Sequence, residues 1–229
     1  MNDLLEWIPP AGSKIPLPMH HILARILDNS KFHEFRARYG QTLICGFGRL
    51  DGCLVGIIAN QGPLVGGAAD AEPSMQVKVG ASSCPAALKG THFVELCNAR
   101  RIPMVCLTDV WEEATAAKRS AGAVRDVGKM IGAIANTSVP IVSLQVGEYS
   151  GSTAYAMGGR MSDASFVFAW PNATVLMGSG GGENEVYRRD AFYGASRMWN
   201  DGVIDPKETR NVLKRAVRIV QRQFLYQQQ

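Results

Sequence analysis

A chain of 229 residues can form one large domain or two small ones, and it is long enough to bury a sizeable core. A hydrophobic fraction of 46% and a charged fraction of 19% exclude wholesale disorder. A net charge of +4, without Lys/Arg runs among aromatic residues, argues against nucleic-acid binding, and no apolar run approaches the roughly 20 residues that span a bilayer.

The first part of the chain predicts an arm, a helix, a hairpin and a loop. The proline-rich residues 1–18 predict an N-terminal arm, which is followed by a domain over residues 19–229. MHHILARILD has helical spacing and places four apolar residues on one face: Ile22, Leu23, Ile26 and Leu27. TLICGFGRLDG and CLVGIIAN predict two strands joined by a tight turn at Asp51 and Gly52. Residues 61–85, rich in Gly, Ala, Ser and Pro, predict a long irregular loop.

The second part of the chain alternates between helices and strands. AALKGTHFVELCNARR and AAKRSAGAVRDVGKMIGAIANTS predict helices, while IPMVCLTDV, VPIVSLQV, FVFAWP and NATVLMG predict strands. This alternation predicts βαβ units and a mostly parallel sheet. ETRNVLKRAVRIVQRQF predicts a closing amphipathic helix with one apolar side: Val212, Ala216, Ile219 and Val220.

The cysteine and histidine patterns indicate which cellular compartment the protein occupies and whether a metal site is expected. Five cysteines form no CxxC pair, and most lie in apolar stretches such as VELC and MVCL. Such thiols favour a reducing compartment without a disulfide framework or a zinc site. The four histidines lack ligand spacing, so no metal site is expected. MNDLLEWIPP lacks the features of a signal or transit peptide, and a cytoplasmic location is expected.

A run of small residues, GEYSGSTAYAMGGR, follows the predicted strand PIVSLQV and predicts a strand-to-helix junction with a helix over GSTAYAMGGRMS. One interpretation is close backbone packing. The other is that a substrate carbonyl reaches backbone N–H groups at the helix start, where a partial positive charge favours an oxyanion. Asp109 ends the preceding strand, MVCLTDV, at the sheet edge where ligands collect, although a helix cap is an equal alternative.

Four blocks of the sequence carry a family resemblance: SKFHEFRARYGQTLICGFGRLDGCLVGIIAN, KGTHFVELCNARRIPMVCLTDV, GGRMSDASFVFAWPNATVLMG and SRMWNDGVIDPKETRNVL. In this order they resemble the C-terminal domain of the carboxyltransferase (β) subunit of biotin-dependent acyl-CoA carboxylases, of the methylcrotonoyl- and propionyl-CoA type. The resemblance implies an α/β fold, the ClpP/crotonase-like spiral of ββα units.

The resemblance also implies site residues. In this family the C-terminal domain holds carboxybiotin, and backbone amides at a helix start steady the ureido oxygen. The corresponding positions are Gly151, Ser152 and Thr153, which are implied to be catalytic.

Ala154 and Tyr155 are implied to contact the acyl substrate, with Tyr155 helping to set which chain fits. The alternative for Tyr155 is packing on the adjacent helix. The substrate-binding set is Tyr155, Ala154, Phe168 and Asp109, with Phe168, Trp170 and Pro171 supporting the neighbouring wall. Core packing is the favoured interpretation of Trp170.

Cofactors and partners follow from the same resemblance. It implies biotin as carboxybiotin on a biotin carboxyl carrier protein, acyl-CoA as the substrate, a biotin carboxylase and an oligomer. No block corresponds to the family's acyl-CoA-binding N-terminal domain, so we expect that domain or chain as a partner. The chain would then be one subunit of a split enzyme or a fragment.

Some stretches depart from the family and keep alternatives open. Glu112 and Glu113 stand where relatives have a Gly-Phe loop beside the biotin pocket, and the Gly-rich residues 178–182 predict a connector in place of helices. The alternatives are a non-catalytic structural subunit of a carboxylase complex, or a malonate-decarboxylase-type or crotonase-like thioester enzyme subunit.

Overall fold

The computed structural model of the protein describes Ile8 and residues 17–60, 84–109, 121–149, 155–177 and 187–226. Its helices are α1 (Met19–Ile26), α2 (Cys84–Ala99), α3 (Ala121–Ala135), a short helix (Ala191–Ser196) and a C-terminal helix (Thr209–Tyr226). Its strands are β1 (Phe32–Glu34), β2 (Leu43–Leu50), β3 (Cys53–Asn60), β4 (Met104–Thr108), β5 (Ile141–Gln145), β6 (Glu148–Tyr149), β7 (Phe166–Ala169), β8 (Thr174–Met177), β9 (Tyr187–Asp190) and β10 (Gly202–Val203).

The predicted hairpin is confirmed. Strands β2 and β3 pair antiparallel from Leu43 opposite Asn60 to Leu50 opposite Cys53. Asp51 and Gly52 form the turn with φ of +54° and +80°. Left-handed backbone at both central positions matches the twist of the flanking strands, which is why DG is favoured there.

The main sheet is mostly parallel, as predicted. Its seven strands run in the order β1-β2-β3-β4-β5-β7-β10. The pairs from β3 to β10 are parallel, whereas β1, β2 and β3 pair antiparallel. Helices α2 and α3 form the crossovers from β3 to β4 and from β4 to β5. A second sheet has the order β6-β8-β9.

Side-chain alternation along the buried strands gives the main sheet two hydrophobic faces. The first core contains α1 and C-terminal helix residues with Ile57, Val105 and Leu144 of the sheet. The second core contains α2 and α3 residues with Ile58 and Cys106. Because consecutive strand residues point to opposite faces, neighbouring residues of one strand belong to different cores.

The helix predictions hold for α1 and need correction for the C-terminal helix. The α1 residues Ile22, Leu23, Ile26 and the following Leu27 are all buried in the first core. On the C-terminal helix the buried face consists of Leu213, Ala216, Val217 and Val220. Ile219, predicted on that face, is 55% exposed, because the face that meets α1 and the sheet is rotated toward Leu213 and Val217.

The described cysteine side chains are free thiols. Burial raises the pKa of Cys97 and of Cys106 to about 12, and it raises the pKa of Cys45 further. These thiols therefore stay protonated and serve as small apolar groups of the second core, as the sequence predicts.

Several predicted segments fall wholly or partly outside the described residues. They are most of the arm 1–18, residues 61–83 of the predicted loop, Glu112, Glu113 and residues 178–182. The predicted loop end needs correction, since residues 84 and 85 begin α2. Leu17, at the end of the predicted arm, is buried in the first core, and Ile8 packs against it. Among the described helices, none is long and apolar enough to cross a membrane.

Candidate functional site

The carboxyl ends of β4 and β5 are joined through Asp109. Its Oδ1 accepts a hydrogen bond from the backbone N–H of Glu148, the first residue of β6, at 3.2 Å. A Cβ at Gly147 would overlap this carboxylate, so the close approach requires glycine there. The backbone N–H of Val146 also donates to the carbonyl of Thr108 at 3.0 Å. Asp109 thus positions the turn that leaves β5.

The WPNA motif holds the same turn from the other side. Nδ2 of Asn172 donates to the carbonyl of Val146 at 3.0 Å, and the N–H of Thr174 donates to the carbonyl of Gly147 at 3.2 Å. Glu148 then pairs with Thr174 in the β6–β8 ladder. The chain entering the small-residue segment is therefore fixed at both sides of the turn.

The chain that leaves the small-residue segment is anchored on β5. Ala156 and Met157 are buried in the second core. Gly158 has a φ of +68°, and a Cβ there would lie 2.9 Å from Cγ2 of Ile141, so this position also requires glycine. The hydroxyl of Ser143 donates to the carbonyl of Gly158. These contacts hold the backbone around Tyr155 against the sheet.

The predicted catalytic residues themselves, Gly151, Ser152 and Thr153, and the predicted contact residue Ala154, lie outside the described residues. The tyrosines on either side are described. Burial and the neighbouring Tyr155 raise the pKa of Tyr149 to about 12, so its phenol stays protonated at neutral pH. Of the predicted helix over 151–162, the described part is helical only at residues 155–156 and ends in a 3₁₀ turn, Arg160–Ser162.

The structure separates two of the predicted substrate-binding residues. Tyr155 is 43% exposed and directly precedes Ala156 and Met157, which are buried in the second core. Phe168 packs against the first core, on the opposite face of the sheet, and stacks on Phe166 with ring centroids 5.8 Å apart. Trp170 is a core residue, as the favoured interpretation has it, and its Nε1 donates to Oγ1 of Thr209 at 2.8 Å.

Several residues that shape this edge carry no local signal in the sequence. Asn172 and Asp201 each lie in a quoted block, WPNA and DGVIDP, but their contacts are distant in the chain. Asp201 accepts a hydrogen bond from Arg160 at 2.5 Å. Arg160 begins the 3₁₀ turn after Tyr155, so this contact joins two segments that are 41 positions apart.

The edge offers hydrogen-bonding groups that stay neutral, such as the Tyr149 phenol and the Asn172 amide. Among the described side chains no group of three His, Cys, Asp or Glu residues could hold a metal ion. Together with the Asp109 carboxylate, these neutral groups support hydrogen bonding at the carboxyl edge of a parallel sheet.

Known proteins are similar to this chain in sequence. Residues 2–192 match the family described as the carboxyl transferase domain. The mitochondrial methylcrotonoyl-CoA carboxylase beta chain of Arabidopsis thaliana is 33% identical over 91% of this chain and 38% of its own length. The propionyl-CoA carboxylase beta chain of Saccharopolyspora erythraea is 28% identical over 94% of this chain and 43% of its own length.

Solved structures give the same result. The geranyl-CoA carboxylase beta subunit of P. aeruginosa aligns with a TM-score of 0.75 and 27% identity over 96% of this chain and 44% of that one. Transcarboxylase 12S aligns with a TM-score of 0.79 and 27% identity over 95% of this chain and 44% of that one. The fold is thus the crotonase-like α/β fold that the resemblance implied.

The chain spans less than half the length of these relatives and matches their C-terminal portion. The family match covers most of the chain, and the relatives' alignments extend over nearly all of it. The resemblance inferred from the four sequence blocks is confirmed: this chain belongs to the carboxyl transferase domain family.

Proposed function

We propose that this chain is the biotin-facing half of an acyl-CoA carboxyltransferase, which works with a partner domain or chain that binds the acyl-CoA. The observation that carries the proposal is that the described residues on both sides of residues 150–154 are anchored, one side at the turn after β5 and the other on β5 itself. Asp109 and Asn172 fix the turn before this segment, and Ser143 fixes Gly158 after it. Anchored flanking residues support the proposal that residues 151–153 present backbone N–H groups to a ligand.

The described groups at this edge fit a ureido ring. Such a ring is uncharged and carries both N–H donors and a carbonyl acceptor. The Tyr149 phenol stays protonated, and Oδ1 of Asn172 is buried without a hydrogen-bond partner within the described part of the chain. Neutral donors and acceptors suit a neutral polar ligand better than an anion, because burying a charge without a counter-charge is unfavourable.

The residues of this chain would act by holding carboxybiotin and by stabilising the negative charge that develops on an oxygen during the reaction. Carboxybiotin, when bound, supplies the carboxyl group that is transferred. The backbone N–H groups of residues 151–153 would donate to an oxygen that gains negative charge, and one such donor is worth about 3 kcal/mol in acyl-transfer sites. Tyr155, 43% exposed beside this segment, would contact the acyl substrate. No side-chain nucleophile is required.

The names of the relatives support an assembly. They are beta chains or subunits of biotin-dependent carboxylases, and the transcarboxylase structure is a hexamer assembly. We therefore infer an oligomer that works with a biotin carboxyl carrier protein and a biotin carboxylase. The buried free thiols favour a reducing compartment, and we infer the cytoplasm.

The proposal is tested by asking which substrate the full chain binds. Ligand-observed NMR titrations use biotin methyl ester and, separately, CoA. The variants are Ser152→Pro, which removes one backbone donor, and Ser152→Ala, which keeps it. We expect biotin methyl ester to bind, with an affinity about tenfold lower in Ser152→Pro and unchanged in Ser152→Ala.

Circular dichroism shows whether the proline variant remains folded. CoA binding by the lone chain would favour the thioester-enzyme alternative instead. Equal affinity for biotin methyl ester in both folded variants would mean that the small residues serve packing, and the structural-subunit alternative would then be preferred.

A further inference from the structure

Three buried polar side chains end three neighbouring parallel strands of the main sheet. Asn60 ends β3, Thr108 ends β4 and Gln145 ends β5, with exposures of 1%, 0% and 5%. Thr108 lies opposite Gln145, and Ala59 lies opposite Leu107, so Asn60 follows in register with Thr108. Neighbouring strands are about 4.8 Å apart, so these side chains form a continuous line, here called the polar row.

The polar row lies on the face of the sheet that carries the second core. Asn60 and Thr108 each stand two residues beyond a second-core residue of their strand, Ile58 and Cys106. Gln145 likewise stands two residues beyond Ser143, whose hydroxyl holds Gly158. Residues two apart in a strand share a face. The row therefore lies on the face of the sheet that holds Gly158, at the carboxyl edge where the chain enters the proposed biotin site.

The side-chain hydrogen-bonding groups of two row residues, Asn60 and Thr108, are not satisfied by their surroundings. Within the part of the chain that the structure describes, Oδ1 and Nδ2 of Asn60 and Oγ1 of Thr108 are buried and have no hydrogen-bond partner. Buried polar groups nearly always have one, since desolvation without a partner is costly. Thr209, equally buried, shows the usual arrangement, because its hydroxyl accepts from Nε1 of Trp170.

The chemistry of the row defines its ligand. Two amides and a hydroxyl offer both donors and acceptors, and the row contains no ionisable side chain. We propose that the polar row of Asn60, Thr108 and Gln145 binds a neutral planar group with an N–H donor and a C=O acceptor, that is, an amide or ureide. The ureido ring of biotin and the pantetheine amides of an acyl-CoA share this chemistry. The choice of the ureido ring over the pantetheine amides rests on the proposed function, whereas the inference that the row binds an amide or ureide does not depend on it.

The test separates binding from stability. Asn60→Leu and Thr108→Val replace the polar groups by apolar groups of similar size, and Thr209→Val is the control at a buried threonine with a partner. Urea unfolding is measured without ligand. Affinities of the full chain for biotin methyl ester and for pantetheine are measured by ligand-observed NMR titration.

We expect Asn60→Leu and Thr108→Val to keep or raise the urea midpoint and to lower the affinity for one of the two probes at least tenfold. Thr209→Val should lower the midpoint and leave both affinities unchanged. Weaker binding of biotin methyl ester by the row variants identifies the ureido ring as the ligand. Weaker binding of pantetheine identifies the CoA side instead; the row is then a binding site, but not for biotin.

The inference is overturned if the row variants lower the midpoint as Thr209→Val does, because the side chains would then be satisfied within the protein. It is also overturned if both affinities are unchanged, or if neither probe binds the wild-type chain saturably. If Ser152→Pro loses biotin methyl ester binding while Asn60→Leu and Thr108→Val keep it, the proposed function is supported and the inference about the polar row is wrong.

Discussion

The guanidinium of Arg160 donates a hydrogen bond to Oδ1 of Asp201, 2.5 Å away, although the two residues are 41 positions apart. The other carboxylate oxygen of Asp201 accepts from the backbone N–H of Val167 at 2.7 Å. One carboxylate therefore ties the 3₁₀ turn after Tyr155 to strand β7 and to the DGVIDP block. This contact joins the exit of the proposed biotin segment to the rest of the sheet.

Breaking this pair is expected to cost a modest amount of stability. Both side chains are more than one third exposed, so solvent screens the attraction. We expect Asp201→Ala to lower the free energy of unfolding by about 1 kcal/mol, mostly through the lost hydrogen bond to Val167. Arg160→Gln should cost less. A double-mutant cycle by urea unfolding measures the coupling, and a coupling of zero would show that the pair is not formed in solution.

The contact between Trp170 and Thr209 should matter more, because both side chains are fully buried. Thr209→Val leaves the indole N–H without its acceptor, and we expect a loss of about 1–3 kcal/mol in the free energy of unfolding. Thermal or urea unfolding measures it. A loss no larger than that of an exposed substitution would contradict the buried hydrogen bond.

Gly147 is expected to tolerate no side chain. In Gly147→Ala the new Cβ would overlap the Asp109 carboxylate, so we expect a loss of about 1–3 kcal/mol in stability. Adding Asp109→Ala should restore part of it. Gly132→Ala in α3 is the matched control, since a Cβ there meets nothing within 4 Å and alanine favours the helix. Similar urea midpoints for Gly147→Ala and Gly132→Ala would refute the close approach.

Asp28 gives a pH dependence with a defined sign. Burial alone would raise its pKa, but hydrogen bonds from the N–H groups of Gly52 and Asp51 and from Arg210 hold the pKa below its usual range. A lowered folded-state pKa stabilises the protein above the unfolded value of about 3.9, and this stability is lost as the pH falls through the folded value.

The substitution Asp28→Asn should therefore cost about 1–2 kcal/mol at pH 7. The difference from wild type should shrink as the pH falls below about 4 and the wild-type carboxylate is protonated. Urea unfolding of both proteins across this range measures it. A difference that stays constant with pH would show that the Asp28 carboxylate is not preferentially charged in the folded state.

Tyr155 is predicted to act on substrate choice more than on stability. Its side chain is 43% exposed, so Tyr155→Ala should change the free energy of unfolding by less than about 0.5 kcal/mol. Tyr39→Ala, at a tyrosine 41% exposed, is the matched control. In the assembled enzyme we expect Tyr155→Ala to shift the relative kcat/KM among acyl-CoA substrates of different chain length, and Tyr39→Ala to leave it unchanged. If neither Tyr155→Ala nor Tyr39→Ala changes the substrate preference, Tyr155 is a packing residue.

The sequence predicts those features that have a local cause. The DG turn requires left-handed backbone at Asp51 and Gly52, so the β2–β3 hairpin could be foreseen. Ile22, Leu23, Ile26 and Leu27 repeat at helical spacing, and they are all buried. The two-residue strands β6 and β10 carry no comparable pattern, because they arise only where the folded chain brings backbones together.

Features that depend on register or on distant contacts were missed. Ile219 belongs to the apolar stripe of its helix, but the neighbours of that helix decide which edge of the stripe is buried. Phe168 was predicted to bind substrate, yet its packing against the first core depends on which face of β7 meets that core. The polar row is visible only after β3, β4 and β5 are aligned, since Asn60 and Thr108 are far apart in sequence.

Transfer of a labelled carboxyl group to free biotin is the most direct measurement of the central claim. The chain, purified with the proteins that accompany it, is mixed with biotin and with malonyl-, methylmalonyl- or methylglutaconyl-CoA labelled in the free carboxyl group. The carboxyl group leaves the carbon that carries it, the α-carbon of malonyl- or methylmalonyl-CoA or the γ-carbon of methylglutaconyl-CoA, for a biotin nitrogen, and the proton of that nitrogen goes to the same carbon. We predict labelled carboxybiotin with at least one thioester and a loss of about a hundredfold or more in folded Ser152→Pro. No transfer from any thioester, or full transfer by the folded proline variant, would contradict the account.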